Sequence, residues 1–453
     1  MNRRNFFQNM TLATGMPLVD AALDAPAAAP PVADWFAKAA LGLFIHWGPC
    51  SVGEIEIGWG MFKNAMANNP CWPVEKYNAL ADRFDPQNYD PDRWMAAAKR
   101  AGFDYAVFTT RHCDGYAMWP SAHGNFSTKQ RMHGRDLVRP YVEACRKHGI
   151  KVGFYYIPTD WNFNPAGWPW PGFPRADKNF EVQNPGYSLG VPKYVDMPLP
   201  KLQGYLEQFY AYVKGQITEL LTNYGKIDLL WWDGFDWPWP LEFHGEEMIS
   251  YVRQLQPGII QNDRYVAWRG KKRFGDYNTD LEAVNPAVRP TSKYWEQCEQ
   301  ICTGWSYRGA ASVCKPTPAV IERLARDRAW GGKYLPDFGP LPDGSMPAAF
   351  YQVCDELEAW RKHSGVSVGD VTAGPFPSGD DVPITVKGDT WYLHFLAERP
   401  RGCTLYSLRP VKSARLLRTG EPAQVKAASG EIVVTPPASR LKGIDEVVEV
   451  IWG

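Results

Sequence analysis

Ile227-Asp228-Leu229-Leu230-Trp231-Trp232-Asp233-Gly234 is an apolar run of strand length that stops on a carboxylate. An amphipathic stretch from about Leu202 to Tyr224, closed by Gly225, precedes it. Helix, glycine and buried strand in that order mark a parallel sheet with helical crossovers. The pattern repeats on both sides. Further apolar runs occupy Leu41–Trp47, Tyr105–Thr110, Lys151–Ile157, Gly258–Gln261, Lys293–Trp295 and Lys333–Phe338. Helical segments lie between them, at Asp92–Ala101 before Gly102, Arg135–His148 before Gly149, Ala319–Trp330 and Ala348–His363. These runs predict a (β/α)8 TIM-like barrel with one strand not placed. A doubly wound sheet is the rival, but the glycine-rich phosphate loop that normally follows its first strand is missing here.

After about Gly365 the helical spacing stops. Short β-type runs follow at Thr390–Phe395, Cys403–Leu408, Ala414–Arg418, Glu431–Thr435 and Glu446–Trp452. Residues 31–364 are therefore expected to form the barrel, and 365–453 a small antiparallel β-sandwich. The leader, residues 1–30, contains Arg3-Arg4 before Phe6-Phe7 and resembles a twin-arginine export signal, although Asp20 and Asp24 interrupt its apolar stretch. It predicts a periplasmic or secreted protein.

Lysine plus arginine equals aspartate plus glutamate, 49 against 49, so no global field draws in nucleic acid or an anionic membrane. The apolar runs are too short for membrane insertion. The charge balance favours a neutral substrate; self-association as a homo-oligomer stays open. The 20 Trp and 22 Tyr suit a ligand with C–H faces, such as a sugar. The Pro- and aromatic-rich connection Trp161–Pro198 leaves the third strand where barrels build their sites, and is read as a substrate-binding wall. Nine cysteines lack the spacing of a disulfide framework or zinc ribbon. A disulfide among Cys298, Cys302 and Cys314 is weighed against free buried thiols, and free thiols are the expectation.

The chemistry is carried by polar residues that end buried strands, because each needs a reason to be there and the carboxyl-terminal rim of a barrel supplies one. They are His46, His112 with Asp114, Tyr156 with Asp160, Asp233, the group Asn262-Asp263-Arg264, and Glu296. Such a ring fits glycoside hydrolysis, which uses two carboxyl groups on either side of the scissile bond. Asp233 lies between indoles and a glycine, with Arg264 on the next strand able to hold it ionised; a buried structural Asp–Arg pair is the plainer alternative. A metal site made of His46, His112, Cys113 and Asp114 competes, but the paired ligand spacings are missing and neighbouring strand residues point to opposite faces. No cofactor or metal is expected.

In these motifs the chain resembles the α-L-fucosidases of glycoside hydrolase family 29. The resemblance runs in order from about Trp35 to Pro347. It comprises Gly42-Leu-Phe-Ile-His46-Trp-Gly, Phe84-Asp-Pro, Trp94 to Gly102, Thr110-Arg-His112-Cys-Asp-Gly-Tyr, Gly134-Arg-Asp136-Leu and Gly153-Phe-Tyr-Tyr156. It continues with Trp232-Asp233-Gly, Asn262-Asp-Arg264, Gly275-Asp-Tyr, Trp295-Glu296 and Gly339-Pro-Leu-Pro-Asp-Gly344. The resemblance implies hydrolysis of terminal α-linked L-fucose from an oligosaccharide or glycoconjugate, with retention, through a covalent intermediate on Asp233. It places His46, His112, Tyr156, Trp232 and Arg264 around the sugar, with Glu56 and Trp59 as a further sugar-contacting pair. For the acid/base it favours Glu282, in a loop, with Glu296 as the rival. The two catalytic carboxyls are expected roughly 5–5.5 Å apart in the closed complex.

Two departures stand out. Cys113 occupies the place of a second histidine that normally helps hold the sugar, and a thiol is a weak donor and acceptor. The Glu56-Ile-Gly-Trp59-Gly-Met segment differs from the commoner Glu-Trp-Tyr form. The alternatives are hydrolysis of a related sugar such as an α-L-galactoside, and a catalytically impaired sugar-binding protein.

Overall fold

Eight parallel strands form one curled sheet: β1 (Gly42–Ile45), β2 (Tyr105–Arg111), β3 (Lys151–Tyr156), β4 (Leu229–Trp232), β5 (Ile260–Gln261), β6 (Asn278–Glu282), β7 (Trp295–Gln300) and β8 (Lys333–Asp337). They run β5-β4-β3-β2-β1-β8-β7-β6. The computed structural model describes residues 33–61, 72–160, 162, 199–233, 244–265, 274–282, 289–375, 382–396 and 402–453. The leader and most of the 161–198 connection lie outside the described residues.

The two ends of the strand series meet. A parallel bridge joins Asn262 to Tyr277, and the Asp276 N–H donates to Gln261 O at 2.7 Å. Because β5 is only two residues long, side chains complete the seam. The Asn262 amide accepts from Trp232 N (2.8 Å) and donates to Trp232 O (2.8 Å) and Thr279 Oγ1 (3.2 Å). A carboxamide carries the same donor and acceptor as a peptide group, so it can substitute for a missing stretch of ladder.

β6 is the strand that the apolar runs do not reveal. Its sequence, Asn-Thr-Asp-Leu-Glu, is polar at four of five positions. Glu282, expected in a loop, is its last residue. β7 begins at Trp295, where the run read from Lys293 was expected to end, so Glu296 lies near the start of a strand rather than at a rim.

Alternation sorts the strand residues into two layers. Leu43, Ile45, Phe108, Phe154, Tyr156, Leu230 and Trp232 join the core shared with the helices. Phe44, Tyr105, Val107, Tyr155, Leu229, Trp231 and Leu335 fill the barrel interior. The longer helices are α1 (Pro91–Ala101), α2 (Val138–Lys147), α3 (Leu199–Thr222), α4 (Gly245–Leu255), α5 (Thr317–Ala329) and α6 (Ala348–Ser364). In α1 the Asp90 side chain accepts from Arg93 N as N-cap, Pro91 opens the first turn, and Gly102 (φ 87°) ends the helix. Its buried face carries Trp94, Met95, Ala97, Ala98 and Ala101.

Two antiparallel sheets follow. One contains β9 (Thr372–Ala373), β10 (Ile384–Lys387), β11 (Thr390–Phe395), β13 (Val411–Leu416) and β16 (Glu446–Trp452); the other contains β12 (Cys403–Tyr406), β14 (Gln424–Ala428) and β15 (Glu431–Thr435). Ile384, Leu393, Phe395, Val448 and Val450 of the first share a core with Cys403, Leu405, Ile432 and Val434 of the second, which makes a sandwich. The outer face of the larger sheet gives Tyr392 and Val447 to the helix-side core. There the Trp360 indole of α6 donates to Asp445 O at 2.9 Å.

The expectation of free thiols is corrected at one place. Cys302 and Cys314 form a disulfide that staples the connection from β7 to α5. The two residues lie at either end of one loop that doubles back on itself, a proximity that spacing alone does not give. Among the described residues Cys50, Cys113, Cys145, Cys298, Cys354 and Cys403 are buried thiols outside any disulfide.

Candidate active site

Asp233 directly follows β4, and its N–H still donates to Tyr156 O at 3.1 Å, so the parallel ladder fixes its backbone. Its side chain turns inward. Oδ2 accepts from the Tyr155 hydroxyl at 2.6 Å, and Oδ1 lies 3.0 Å from Arg264 Nη2. The other arm of that guanidinium, Nη1, is 3.7 Å from Glu282 Oε2. One cation therefore bridges carboxylates from β4 and β6, across the seam. Glu282 is the most open of the three, its side chain 45% exposed against 22% for Asp233 and 19% for Arg264. Below them lies Trp231, with the Arg264 guanidinium 4.9 Å over its ring and the Tyr155 ring stacked on it at 5.6 Å and 17°.

Two histidines stand beside this group. His46 directly follows β1 and places Nδ1 at 2.7 Å from Asp337 Oδ1, at the end of β8. Burial pushes the Asp337 carboxyl up to about 6, although His46 pulls it down. In the neutral ring, Nδ1–H donating to the carboxylate leaves Nε2 as an acceptor. The His112 ring lies parallel to Tyr155 at 5.4 Å and edge-on to His46 at 5.8 Å. Burial, reinforced by His46, pushes His112 down to about 3, so its ring is neutral at ordinary pH. Cys113 Sγ lies 3.0 Å from His112 Nδ1, and burial pushes this thiol well above its usual range. A protonated thiol donating to Nδ1 leaves Nε2–H as a donor. The pair thus offers one acceptor and one donor for hydroxyl groups, and Cys113 acts through its neighbour's tautomer.

Several expected residues are placed elsewhere. Tyr156 and Trp232, read as sugar-lining, face the helices: the Tyr156 hydroxyl donates to Gln216 Oε1 (2.9 Å) and the Trp232 indole to Gln261 Oε1 (3.0 Å). Strand alternation is the reason, since a residue sharing the face of Asp233 must be Trp231, and the one beside it on β3 is Tyr155. Glu296 is sealed under the floor, 1% exposed. It accepts from the Trp231 indole at 2.8 Å and from the Tyr105 hydroxyl, and burial pushes its carboxyl up to about 7.

Glu56 is 3% exposed, with its oxygens taken up by Trp305 N (3.0 Å), Ser306 N (3.0 Å) and Arg308 Nη1 (3.3 Å). Its carboxylate clamps the stapled loop. That loop sets the Trp305 ring 5.1 Å from His46. Trp59 lies in a tight turn, Trp59–Met61, half-buried against the barrel-interior cluster. Asp114 accepts from the Tyr77 hydroxyl (3.0 Å) and Tyr116 N (3.2 Å). Asp160 accepts from the Tyr212 hydroxyl at 2.6 Å and lies 3.3 Å from the buried Arg111. Asp263 accepts from Asn278 Nδ2 at 2.9 Å. These three serve the scaffold.

Sequence reasoning missed Tyr155, Trp231, Asp337 and Trp305. The period-2 rule pointed to the first two, and Asp337 is a polar strand end like those already chosen. Nothing in the sequence signalled Trp305. Of the residues weighed as a competing metal group, His46 is engaged by Asp337 and Asp114 by Tyr77. Among the described residues no three His, Cys, Asp or Glu side chains converge as metal ligands.

Comparison with known proteins identifies the family. The family profile for alpha-L-fucosidase matches residues 22–366. Tissue alpha-L-fucosidase from Bos taurus is 27% identical over 359 residues, covering 75% of this chain and 69% of that protein. Alpha-L-fucosidase isoenzyme 1 from Paenibacillus thiaminolyticus superimposes with a TM-score of 0.74 at 28% identity, covering 92% of this chain and 98% of that one. An alpha-L-fucosidase from Bacteroides thetaiotaomicron, trapped as a covalent intermediate with 2-fluoro-fucosyl fluoride, shares the fold with a TM-score of 0.76 at 23% identity over 92% of this chain and 95% of that one. With the match spanning the whole barrel, this chain belongs to the α-L-fucosidase family, glycoside hydrolase family 29.

Proposed function

We propose that this α-L-fucosidase works with retention, Asp233 serving as nucleophile and Glu282 as acid/base. The supporting observation is the Arg264 guanidinium, held between the Asp233 and Glu282 carboxylates. In the first step an Asp233 oxygen bonds to the anomeric carbon while the bond to the leaving oxygen breaks and Glu282 gives that oxygen its proton. In the second, Glu282 takes a proton from water, whose oxygen bonds to the anomeric carbon and releases Asp233. A side chain open to solvent suits a group that must admit the attacking water in the second step. His46 Nε2 and His112 Nε2–H serve the sugar hydroxyls. The substrate is the terminal fucose of a neutral oligosaccharide or glycoconjugate, in keeping with the equal numbers of acidic and basic residues.

The test is release of para-nitrophenol from para-nitrophenyl α-L-fucoside by the wild type and by Asp233→Ala, with the first-formed anomer followed by proton NMR. Activity in the wild type, its near-total loss in the variant, and α-fucose appearing first are expected. β-Fucose appearing first would refute retention, and an active Asp233→Ala would refute the nucleophile.

The proposal extends to location. Arg3-Arg4 ahead of Phe6-Phe7 and the Cys302–Cys314 disulfide both favour an oxidising compartment outside the cytoplasm. Fractionation of cells expressing the full chain is expected to place it outside the inner membrane, and Arg3→Lys/Arg4→Lys is expected to retain it inside. Cytoplasmic wild-type protein would overturn this.

A further inference from the structure

Glu296 is buried, titratable and unused by the mechanism above. It accepts from Trp231 Nε1 at 2.8 Å and is fixed from the β2 side by the Tyr105 hydroxyl. Lys333 enters the interior beside it from β8, and β8 pairs with β7 at Glu296↔Lys333. Above it, the Trp231 ring is the surface on which both holders of the nucleophile rest. Tyr155 stacks on the indole at 5.6 Å and gives its hydroxyl to Asp233 Oδ2. Arg264 lies 4.9 Å over the same indole and gives Nη2 to Asp233 Oδ1. An indole has one polar atom, and in this site that atom is the only handle fixing the in-plane angle of the ring by hydrogen bonding.

We propose that Glu296 is a positioning residue for the fucosidase reaction: by anchoring the Trp231 indole it sets the angle at which Tyr155 and Arg264 present the Asp233 carboxylate. The inference rests on Asp233 being the nucleophile. Without the anchor the ring turns about its bond to the backbone, and the two Asp233 contacts shift with it. A misplacement of this kind acts on the chemical step, where a displacement of about 1 Å can cost on the order of 100-fold in rate. His46 and His112 are carried by β1 and β2 and do not touch the indole, so sugar binding is expected to change less than the chemical step.

The variants separate this role from the others open to a buried glutamate. Glu296→Gln keeps an oxygen for the Trp231 N–H and lets its NH2 donate to Tyr105, whose hydroxyl turns to accept. Glu296→Leu removes the anchor but fills the space. On para-nitrophenyl α-L-fucoside, Glu296→Leu is expected to lower kcat about 10–100-fold per active site, counted by titration with 2-fluoro-fucosyl fluoride, with KM and L-fucose inhibition nearly unchanged. Glu296→Gln is expected to recover most of that kcat. Wild-type kcat per active site in Glu296→Leu would overturn the proposal, leaving a merely structural side chain.

Equal damage in Glu296→Gln and Glu296→Leu would also overturn it, because a proton-transfer group tolerates neither. If Glu296→Leu does not fold, Trp231→Phe, which deletes the N–H while keeping an aromatic floor, carries the test with the same split expected; wild-type kcat there overturns it. An inactive wild type, or an active Asp233→Ala, would instead remove the underlying mechanism.

Discussion

Tyr155 and Tyr156 are neighbours on one strand, and exchanging each for phenylalanine tests which face of β3 does chemistry. Tyr155→Phe deletes the hydroxyl that donates to Asp233 Oδ2 at 2.6 Å and leaves the ring stacked on His112 and Trp231. A hydrogen bond to a charged group contributes about 1.5–3 kcal/mol. At about 1.4 kcal/mol per tenfold, kcat/KM should fall roughly 10–150-fold. Tyr156→Phe deletes a hydroxyl that donates to Gln216 Oε1 at 2.9 Å, an oxygen that also accepts from Arg111 Nη1 at 2.9 Å. Gln216 is therefore not stranded, and the loss should cost about 0.5–1.5 kcal/mol of stability with kcat/KM near wild type. The assays are steady-state hydrolysis of para-nitrophenyl α-L-fucoside and the midpoint of urea unfolding. An active Tyr155→Phe beside an inactive, normally folded Tyr156→Phe would refute the assignment of faces and the account of the nucleophile's setting.

Glu282→Gln should lower turnover about 100–10,000-fold on natural fucosides, as expected for loss of a general acid, and much less on a dinitrophenyl fucoside, whose leaving group needs no proton; equal losses on both would argue against the assignment. For His112 the folded pKa is pushed down to about 3. Between the ordinary value near 6.5 and that figure the unfolded chain binds a proton that the folded one excludes, so this residue's contribution is complete above about pH 6.5 and lost as pH falls. Asp337 and Asp114, both pushed up to about 6 by burial, act in the opposite sense. The comparison is therefore urea midpoints for wild type and His112→Phe at pH 7.5 and 5, and a smaller drop is expected in the variant. Reducing Cys302–Cys314 should lower stability by about 3 kcal/mol, the scale for a loop of this length, read as a shift in urea midpoint with and without reductant.

The barrel was legible because most of its strands are buried on both faces and read as continuous apolar runs. β6 was not, because a polar strand at the seam takes its partners from side chains such as Asn262 and Asp263, leaving no hydrophobic period to detect. Within the site, Asp233, Arg264, His46 and His112 could be named from their positions at strand ends. Tyr156 and Trp232 were chosen over Tyr155 and Trp231 because a run of adjacent aromatics does not itself declare which member faces in; that takes the phase of the strand, which Asp233 already supplied. The disulfide and the clamp of Glu56 on the Trp305 loop join residues far apart in the chain or across a turn, and no local pattern encodes them.

A ring of strands closed in part by side chains is a clasp, and this clasp lies between the two carboxylates that divide the chemistry. Asp233 follows β4 and Glu282 ends β6, on either side of the short β5, so their spacing is a dimension of the joint and belongs to neither residue. Shortening or lengthening Asn262, Asp263 or Asp276 by one carbon would retune the gap across which a glycosidic bond is broken while both catalytic side chains stayed intact. Such substitutions alter the gauge of the instrument without touching its blades.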